Sequence, residues 1–432
     1  MQGVRPRFRL AVVLPLLLLA LLAAPLRAQG GGSPGNPIDH GLWRLSGTDP
    51  NLPQDDLEPL RQVIGGAQLV GLGESIHTSG GFYQLKDRTF RFLVERMGFR
   101  AFGMETSWFR ADRVERYVQT CQGTPRDAIR GIFGVWQSAE VQAMAQWMCE
   151  WNTAHPDDRV HFYGFDIQNQ SFEDGAALLA FLHRLGIDDN DPRVAGIRAC
   201  DGVETDYFFE GLPFPPELYQ QCQGALADTA AFFDRDEKTI EGQTSKQDLG
   251  WARVSLVGQQ AWQEEIFFIE SDPDRGGKAR DRGMAYAVQA IRDLRFPQAR
   301  TALWAHNGHL AKKAGSSDYF GVEMGTLLAD QLKSKYVAIG LSAHETYIDW
   351  IYLGLCGLVE DIPVGPGSLE NVLHGLGPGA GVLAELKKNP PFLQAGSYLV
   401  GAVSMVPSEQ FDAILYLDVS PKMHPLLWAS CQ

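Results

Sequence analysis

Two short apolar runs, separated by an amphipathic stretch, constrain the fold of this chain most strongly. The first run, residues 69–72, ends just before Glu74 and His77, and the second, residues 99–104, ends at Glu105. This pattern predicts a β-strand, an α-helix and a second, parallel β-strand. In open α/β sheets ligands bind beyond the carboxyl ends of the strands, which is where these ionisable side chains would lie.

Four further apolar runs show the same pattern: each ends at ionisable or polar residues. Continuous apolar runs are typical of strands that are covered on both faces. We therefore predict an α/β fold, a three-layer α/β/α arrangement with a mostly parallel central sheet. Residues 173–295 have a helical pattern, which predicts a mainly helical insertion over the carboxyl edge of the strands. The four runs are residues 160–166, 301–309, 336–345 and 411–418.

The first 28 residues have the features of a secretory signal peptide: a basic start, an apolar stretch at residues 10–24 and a small residue at the end. The apolar stretch is shorter than the roughly 20 residues that a membrane span needs. We expect an exported protein, periplasmic or secreted. Leu26 is large for a cleavage site, so an uncleaved anchor stays an alternative. A flexible linker at residues 29–38 would precede an α/β domain at residues 39–432.

The charge of the chain argues against nucleic-acid binding. The formal net charge is −14, and removal of residues 1–28, which hold four arginines and no acidic residue, brings it to −18. Such an acidic body repels phosphate backbones. We expect a small-molecule partner and no membrane contact after signal cleavage, and the oligomeric state stays open.

Six cysteines fit an exported protein, since disulfides persist in oxidising compartments. Six cysteines permit 15 pairings, so spacing alone does not fix the connectivity. We predict the pairs Cys121–Cys149, Cys200–Cys222 and Cys356–Cys431. The alternative is that several of them are buried free thiols.

The residues at the strand ends are of the types that acid/base catalysis uses. A carboxylate beside a histidine fixes one tautomer of the imidazole and raises its basicity, as Glu74 would do for His77. A simpler explanation is that Glu74 and Glu105 stabilise helix N-termini, an effect worth about 0.3–1 kcal/mol. Their joint occurrence on neighbouring strands, together with His77, favours a functional site.

Two histidines end another predicted strand and are further candidates. His306 and His309 flank Asn307, and Asp166 ends the strand at residues 160–166 as a site residue or a helix cap. No GxSxG elbow or Gly-rich dinucleotide fingerprint follows a predicted strand, and the sequence has no Walker loop or HExxH motif. Two catalytic mechanisms remain: a histidine base that activates water, or a metal ion bound by glutamates and histidines.

Six sequence blocks in order resemble the erythromycin esterase family over nearly all of the chain after the N-terminal segment. The first is GESIH, with Lys86 nine positions after the histidine, and the second is GFRAFGME, which ends at Glu105. A single block would be weak evidence, whereas six in order are specific. The others are VWQSAE, FYGFD, RDRGMA and WAHNGH.

The resemblance implies a carboxylic ester hydrolase that opens a macrolide lactone, an antibiotic-resistance activity. It implies that His77 activates water and that Glu74 orients His77. It further implies that Glu105, Lys86 and His306 position substrate or stabilise the oxyanion, and that no cofactor or metal is needed. The substrate-binding residues would be Lys86, His309, Asp166 and Arg282.

Three positions depart from the family pattern and leave the substrate open. Thr78 and Gly81 stand where relatives commonly have glycine and glutamate, and Ala287 replaces a common asparagine. Two other classes of function therefore stay in view. One is a non-catalytic protein that binds a hydrophobic small molecule, and the other is an enzyme that modifies polysaccharides of the cell envelope.

Overall fold

A computed structural model describes residues 41–168, 173–200, 207, 211–313, 323–362, 364–377, 379–386, 397–399 and 403–426. The predicted signal peptide and linker lie outside the described residues. Within these ranges, none of the helices is both long enough and apolar enough to cross a membrane.

The described residues form eleven strands and fifteen α-helices. The strands are β1 (Leu42–Leu45), β2 (Leu69–Leu72), β3 (Phe99–Ser107), β4 (His161–Asp166), β5 (Arg300–Trp304), β6 (Tyr336–Asp349), β7 (Val359–Asp361), β8 (Gly381–Glu385), β9 (Ser397–Leu399), β10 (Val403–Met405) and β11 (Ala413–Ser420). The helices are α1 (Leu60–Ile64), α2 (Gly80–Met97), α3 (Trp108–Thr120), α4 (Pro125–Ile129), α5 (Ala139–Ala154), α6 (Glu173–Arg184), α7 (Pro192–Ala199), α8 (Pro216–Arg235), α9 (Glu237–Gln243), α10 (Lys246–Phe268), α11 (Pro273–Arg295), α12 (Asn307–Leu310), α13 (Met324–Leu332), α14 (Leu369–His374) and α15 (Pro407–Gln410).

The central sheet is mostly parallel, as predicted. Its strand order is β1-β8-β11-β6-β2-β5-β3-β4, and β7 pairs with β6. The six strands from β11 to β4 in this order run parallel, whereas at one edge β8 pairs antiparallel with β11 and β1 pairs antiparallel with β8. β9 and β10 form a separate pair. The antiparallel strands β1 and β8 were not predicted.

Helices cover both faces of the sheet, which confirms the three-layer arrangement. Val70 and Leu72 of β2 pack into a core with α2 and α5. Leu69, on the opposite face of the same strand, packs into a core with α11 and α13. Because neighbouring strand residues point to opposite faces, both faces must be apolar, and this accounts for the continuous apolar runs.

Helices α6 to α11 occupy the chain between β4 and β5, in agreement with the predicted helical insertion. Helices α6 to α10 build a small core of their own, around residues such as Phe181 and Phe233. Helix α11 packs on β4 and α13, so it is the crossover helix that returns the chain to the sheet. Arg280 near the start of α11 contacts the carboxyl ends of β3 and β4.

Two of the predicted disulfides are confirmed. Cys121 pairs with Cys149, which ties the end of α3 to α5, and Cys200 pairs with Cys222, which ties the end of α7 to α8. Cys431, the predicted partner of Cys356, lies outside the described residues.

Candidate active site

The sheet topology gathers the candidate residues at one edge. Glu74 follows β2, Glu105 lies near the end of β3, Asp166 ends β4, and His306 follows β5. These strands run parallel in the order β2-β5-β3-β4. Because β5 lies between β2 and β3, the prediction that Glu74 and Glu105 end neighbouring strands was wrong. The carboxyl ends of parallel strands meet at the same edge of a sheet, which is the usual ligand position in such folds.

Glu74 is a buried carboxylate with a different partner on each oxygen. Its Oε1 lies 2.7 Å from Nδ1 of His77, and its Oε2 accepts a hydrogen bond of 2.7 Å from Nζ of Lys86. Lys86, on α2, is also buried, and its ammonium lies 4.3 Å from the centre of the Trp304 ring. The carboxylate is therefore held in place from two sides.

His77 presents one ring nitrogen to the outside. Because Glu74 accepts the proton on Nδ1, the lone pair is on Nε2. Nε2 has no hydrogen-bond partner among the described residues. The side chain is 29% exposed, and its ring is 5.1 Å from that of Trp136 and 5.4 Å from that of His306. A held imidazole with an open, solvent-accessible nitrogen can act as a base.

Burial perturbs the pKa of Lys86. Loss of solvation lowers the pKa of this lysine to about 8, and the nearby carboxylate of Glu74 offsets only part of that effect. The ammonium that neutralises Glu74 thus begins to lose its proton at a pH only slightly above neutral.

A second group of charges centres on Glu105. Its Oε1 accepts a hydrogen bond of 3.0 Å from Arg280, and its Oε2 accepts one of 2.9 Å from the backbone N–H of His306. Arg280 also donates from Nε to Asp166 at 3.2 Å. Burial alone would raise the pKa of Glu105, but His309 and Arg280 hold that pKa well below its ordinary value.

His309 is a cation within this group. Its Nδ1 lies 2.7 Å from Asp281 and its Nε2 lies 3.3 Å from Glu105. Burial would lower the pKa of His309, but the two carboxylates raise it to about 10. Asp281 in turn accepts backbone N–H bonds from Glu323 and Met324, at 2.6 and 2.7 Å. At neutral pH His309 is an imidazolium and is not available as a base.

His306 is neutral, and both of its ring nitrogens are engaged. Nε2 donates to the backbone oxygen of Ser75 at 3.0 Å, and Nδ1 accepts the N–H of Gly308 at 3.2 Å. Burial, together with His77 and His309, lowers the pKa of His306 to about 3. These contacts make His306 a link between β5 and the chain around His77.

Seven of the eight predicted site residues lie in this network, and Arg282 does not. Its side chain is 47% exposed and pairs with Glu264 at 3.2 Å and Glu323 at 3.6 Å. Arg280, two residues earlier, takes the position within the network instead. The seven residues are Glu74, His77, Lys86, Glu105, Asp166, His306 and His309.

No role was predicted from the sequence for Arg280 or Asp281, although both lie in the RDRGMA block. The periodicity of α11 gives a usable signal, because Ala279, Gly283 and Met284 are buried. Arg282 shares the opposite, exposed face with Tyr286. A helical projection of this segment would place Arg280 and Asp281 nearer the sheet than Arg282.

The carboxylates and imidazoles of the site are arranged as partners of one another. In the part of the chain that the structure describes, no three histidine, cysteine, aspartate or glutamate side chains are placed to hold a metal ion together. That catalysis needs no metal stays a prediction.

Comparison with known proteins identifies the family. The sequence model of the family described as erythromycin esterase matches residues 94–420, three quarters of the chain. The chain belongs to the erythromycin esterase family. The match begins after Glu74, His77 and Lys86, so the assignment of these three residues depends on their geometry.

Individual relatives agree with this family. The chain is 30% identical over 336 residues to erythromycin esterase type II of Escherichia coli, covering 72% of this chain and 77% of the relative. It is 23% identical over 364 residues to the putative hydrolase YbfO of Bacillus subtilis, covering 78% and 79%. The solved structure of an erythromycin esterase, a mutant of EreC in its open conformation, shares the fold. That likeness has a TM-score of 0.74 at 19% identity, over 89% of this chain and all of the other.

Proposed function

We propose that this member of the erythromycin esterase family is an exported hydrolase of an ester or lactone bond, with His77 as the base that activates water. One observation carries the proposal: Nδ1 of His77 is held 2.7 Å from buried Glu74, while Nε2 has no partner among the described residues. Of the three histidines at the site, His306 has both ring nitrogens engaged and His309 is protonated. His77 alone among these three has the form of a base.

In the proposed reaction, Nε2 of His77 removes a proton from water as the water oxygen attacks the acyl carbon. The imidazolium that forms is stabilised by the carboxylate of Glu74. The tetrahedral oxyanion then collapses, the bond to the leaving oxygen breaks, and Nε2 returns its proton to the leaving alkoxide. The products are a carboxylic acid and an alcohol, which are joined in one molecule when the substrate is a lactone.

Arg280 is the cation that we assign to the acyl oxygen. Lys86 is buried and committed to Glu74, and His309 lies between two carboxylates. The side chain of Arg280 is 17% exposed, more than that of Lys86 or His309, and its guanidinium is fixed by Glu105 and Asp166. A preorganised cation near the developing oxyanion contributes a few kcal/mol, about 10²–10³-fold in rate. This replaces the oxyanion roles predicted for Lys86 and His306.

Two observations support the wider proposal. The relative at 30% identity is named for erythromycin, a lactone, which supports a cyclic ester as substrate. The disulfides Cys121–Cys149 and Cys200–Cys222 support export, since such bonds persist in oxidising compartments.

The test is a panel of macrolides and simple aryl esters, incubated with and without chelator and analysed by mass spectrometry. The wild-type protein is expected to add one water molecule to at least one compound. His77→Ala should abolish that product, whereas the matched control His183→Ala, an exposed histidine paired with Asp189, should not. Full turnover by His77→Ala would remove the proposal. Binding without a product, across the panel, would favour the non-catalytic alternative.

A further inference from the structure

A segment near the end of the described chain packs directly on the loop that carries His77. Met423 donates its backbone N–H to the oxygen of Thr78 at 2.8 Å, and Pro421 accepts the N–H of Gly81 at 3.3 Å. We call residues 420–426 the clamp segment. Two further contacts are the 2.6 Å hydroxyl pair Ser79–Ser420 and the antiparallel bridge between Ser79 and Lys422.

The clamp segment also bonds the residues that follow Trp136 in the chain. His424 accepts the N–H of Ala139 at 2.8 Å, and Leu426 donates its N–H to Gln137 at 2.9 Å. Trp136 itself contacts the ring of His77 and donates its indole N–H to the backbone oxygen of Glu105 at 2.7 Å. The clamp segment therefore joins the loop of His77 to the residues that flank its ring.

Thr78, the residue after His77, has a backbone conformation that needs such support. Its φ is +64°, a left-handed value that a β-branched residue rarely adopts. Each of its polar groups has a partner. Its N–H donates to Tyr83 at 2.9 Å, its hydroxyl donates to the oxygen of His77 at 2.6 Å and accepts the N–H of Asp349 at 2.8 Å, and its carbonyl accepts from Met423.

We propose that the clamp segment is a positioning element of the active site, which acts through Thr78 to fix where Nε2 of His77 lies. This inference rests on the proposed function, because it assigns the segment to the placement of the catalytic base. Most of the segment lies beyond residues 94–420, the part that the family comparison matches. We therefore infer the positioning role from the contacts in this structure and not from the family match.

Gly80 offers a local way to displace the clamp segment. A Cβ at this position would lie 2.7 Å from the carbonyl oxygen of Lys422 and 2.9 Å from Cα of Met423, so Gly80→Ala forces the two segments apart. Gly224→Ala, in α8, is the matched control, because its Cβ would meet nothing within 4 Å. Displacement of a catalytic group by about 1 Å can cost about 10²-fold in rate. We expect kcat to fall 10- to 100-fold in Gly80→Ala, with KM within twofold of wild type, and neither to change in Gly224→Ala.

The measurement is steady-state kinetics well below the melting temperature, with the folded fraction checked by circular dichroism. A folded Gly80→Ala protein with wild-type kcat would overturn the proposal. So would a rise in KM as large as the loss of kcat, because a displaced base alone does not weaken substrate binding.

Substitutions of Thr78 give a second test that does not depend on how Gly80→Ala folds. Thr78→Ser keeps the hydroxyl and should keep kcat within about threefold, whereas Thr78→Val removes it and should lower kcat at least tenfold. The hydroxyl joins Thr78 to the backbone oxygen of His77, so equal kcat in these two variants would contradict the proposal that the clamp segment acts through Thr78. Failure of the proposed function can be told apart from failure of the clamp proposal, because it would appear as turnover by His77→Ala. If His77→Ala were inactive while Gly80→Ala and Thr78→Val were fully active, only the positioning role of the clamp segment would be contradicted.

Discussion

The buried carboxylate of Glu74 lies 2.7 Å from Nδ1 of His77, and this contact decides which imidazole nitrogen carries the proton. The second oxygen of Glu74 is held by Lys86 at the same distance, so the carboxylate cannot turn away from the histidine without losing its cation. The three residues together leave Nε2 of His77 as the basic atom at the site.

Replacement of Glu74 by glutamine should reduce turnover without unfolding the protein. The amide oxygen would face the ammonium of Lys86, so the amide N–H₂ would face His77 and favour the tautomer with its proton on Nε2. We expect kcat to fall by about 10²–10⁴-fold, the usual contribution of general base catalysis. Glu217→Gln, at an exposed glutamate of α8, is the control. Near-normal kcat in Glu74→Gln would contradict this role.

The lowered pKa of Lys86 leads us to expect a loss of activity at alkaline pH. The pKa of this buried lysine is lowered to about 8, so above that pH Glu74 loses its neutralising cation. The kcat of the wild-type protein should decline above pH 8, whereas Lys86→Arg should stay active to higher pH because arginine keeps its proton. Measured profiles of kcat against pH test this, and identical alkaline limbs in the two proteins would contradict it.

His309 should stabilise the folded protein most strongly at low and neutral pH. Its pKa is raised from 6.5 to about 10 on folding, so its contribution is fully present below pH 6.5 and is lost as the pH rises through 10. The free energy of unfolding of wild type minus that of His309→Gln should therefore be largest at pH 6 and shrink towards pH 10. Urea unfolding at pH 6, 8 and 10 measures this difference. If the difference in unfolding free energy between the two proteins did not change with pH, the raised pKa of His309 would be contradicted.

Arg280 and Arg282 form a natural matched pair on α11. Arg280→Met leaves Glu105 and Asp166 buried without their shared guanidinium, a change that typically costs about 3–5 kcal/mol. Arg282→Met removes only exposed ion pairs, worth up to about 1 kcal/mol. Chemical denaturation of both variants, with kcat measured in parallel, should show large losses in Arg280→Met alone. Equal effects would contradict the placement of Arg280.

The parallel strands could be predicted from the sequence, because each of them is a continuous apolar run that ends at a polar residue. β3 and β6, for example, begin at the predicted Phe99 and Tyr336. Strands β1 and β8 have only four and five residues and lie at the edge of the sheet. Length is not the reason, because the predicted strands β2 and β5 are just as short. The antiparallel pairing of β1 and β8 depends on tertiary contacts between segments far apart in sequence.

The site was predictable in its residue types and less so in their roles. Strand ends identified Glu74, His77 and Glu105, since topology alone brings the ends of parallel strands together. The role of His306 depends on the oxygen of Ser75, a contact between segments far apart in sequence. The choice between Arg280 and Arg282 depends on which face of α11 is turned towards the sheet. Hydrogen bonds of this kind are set by packing and leave no local pattern.

Chemical rescue of His77→Ala by added imidazole tests the central claim most directly. Removal of the side chain should abolish hydrolysis of the best substrate from the panel. Imidazole should restore part of the rate in proportion to its neutral, basic form, because it can accept the proton of water where Nε2 stood. Hydrolysis by His77→Ala at the wild-type rate, with no response to imidazole, would contradict the assignment of His77 as the base.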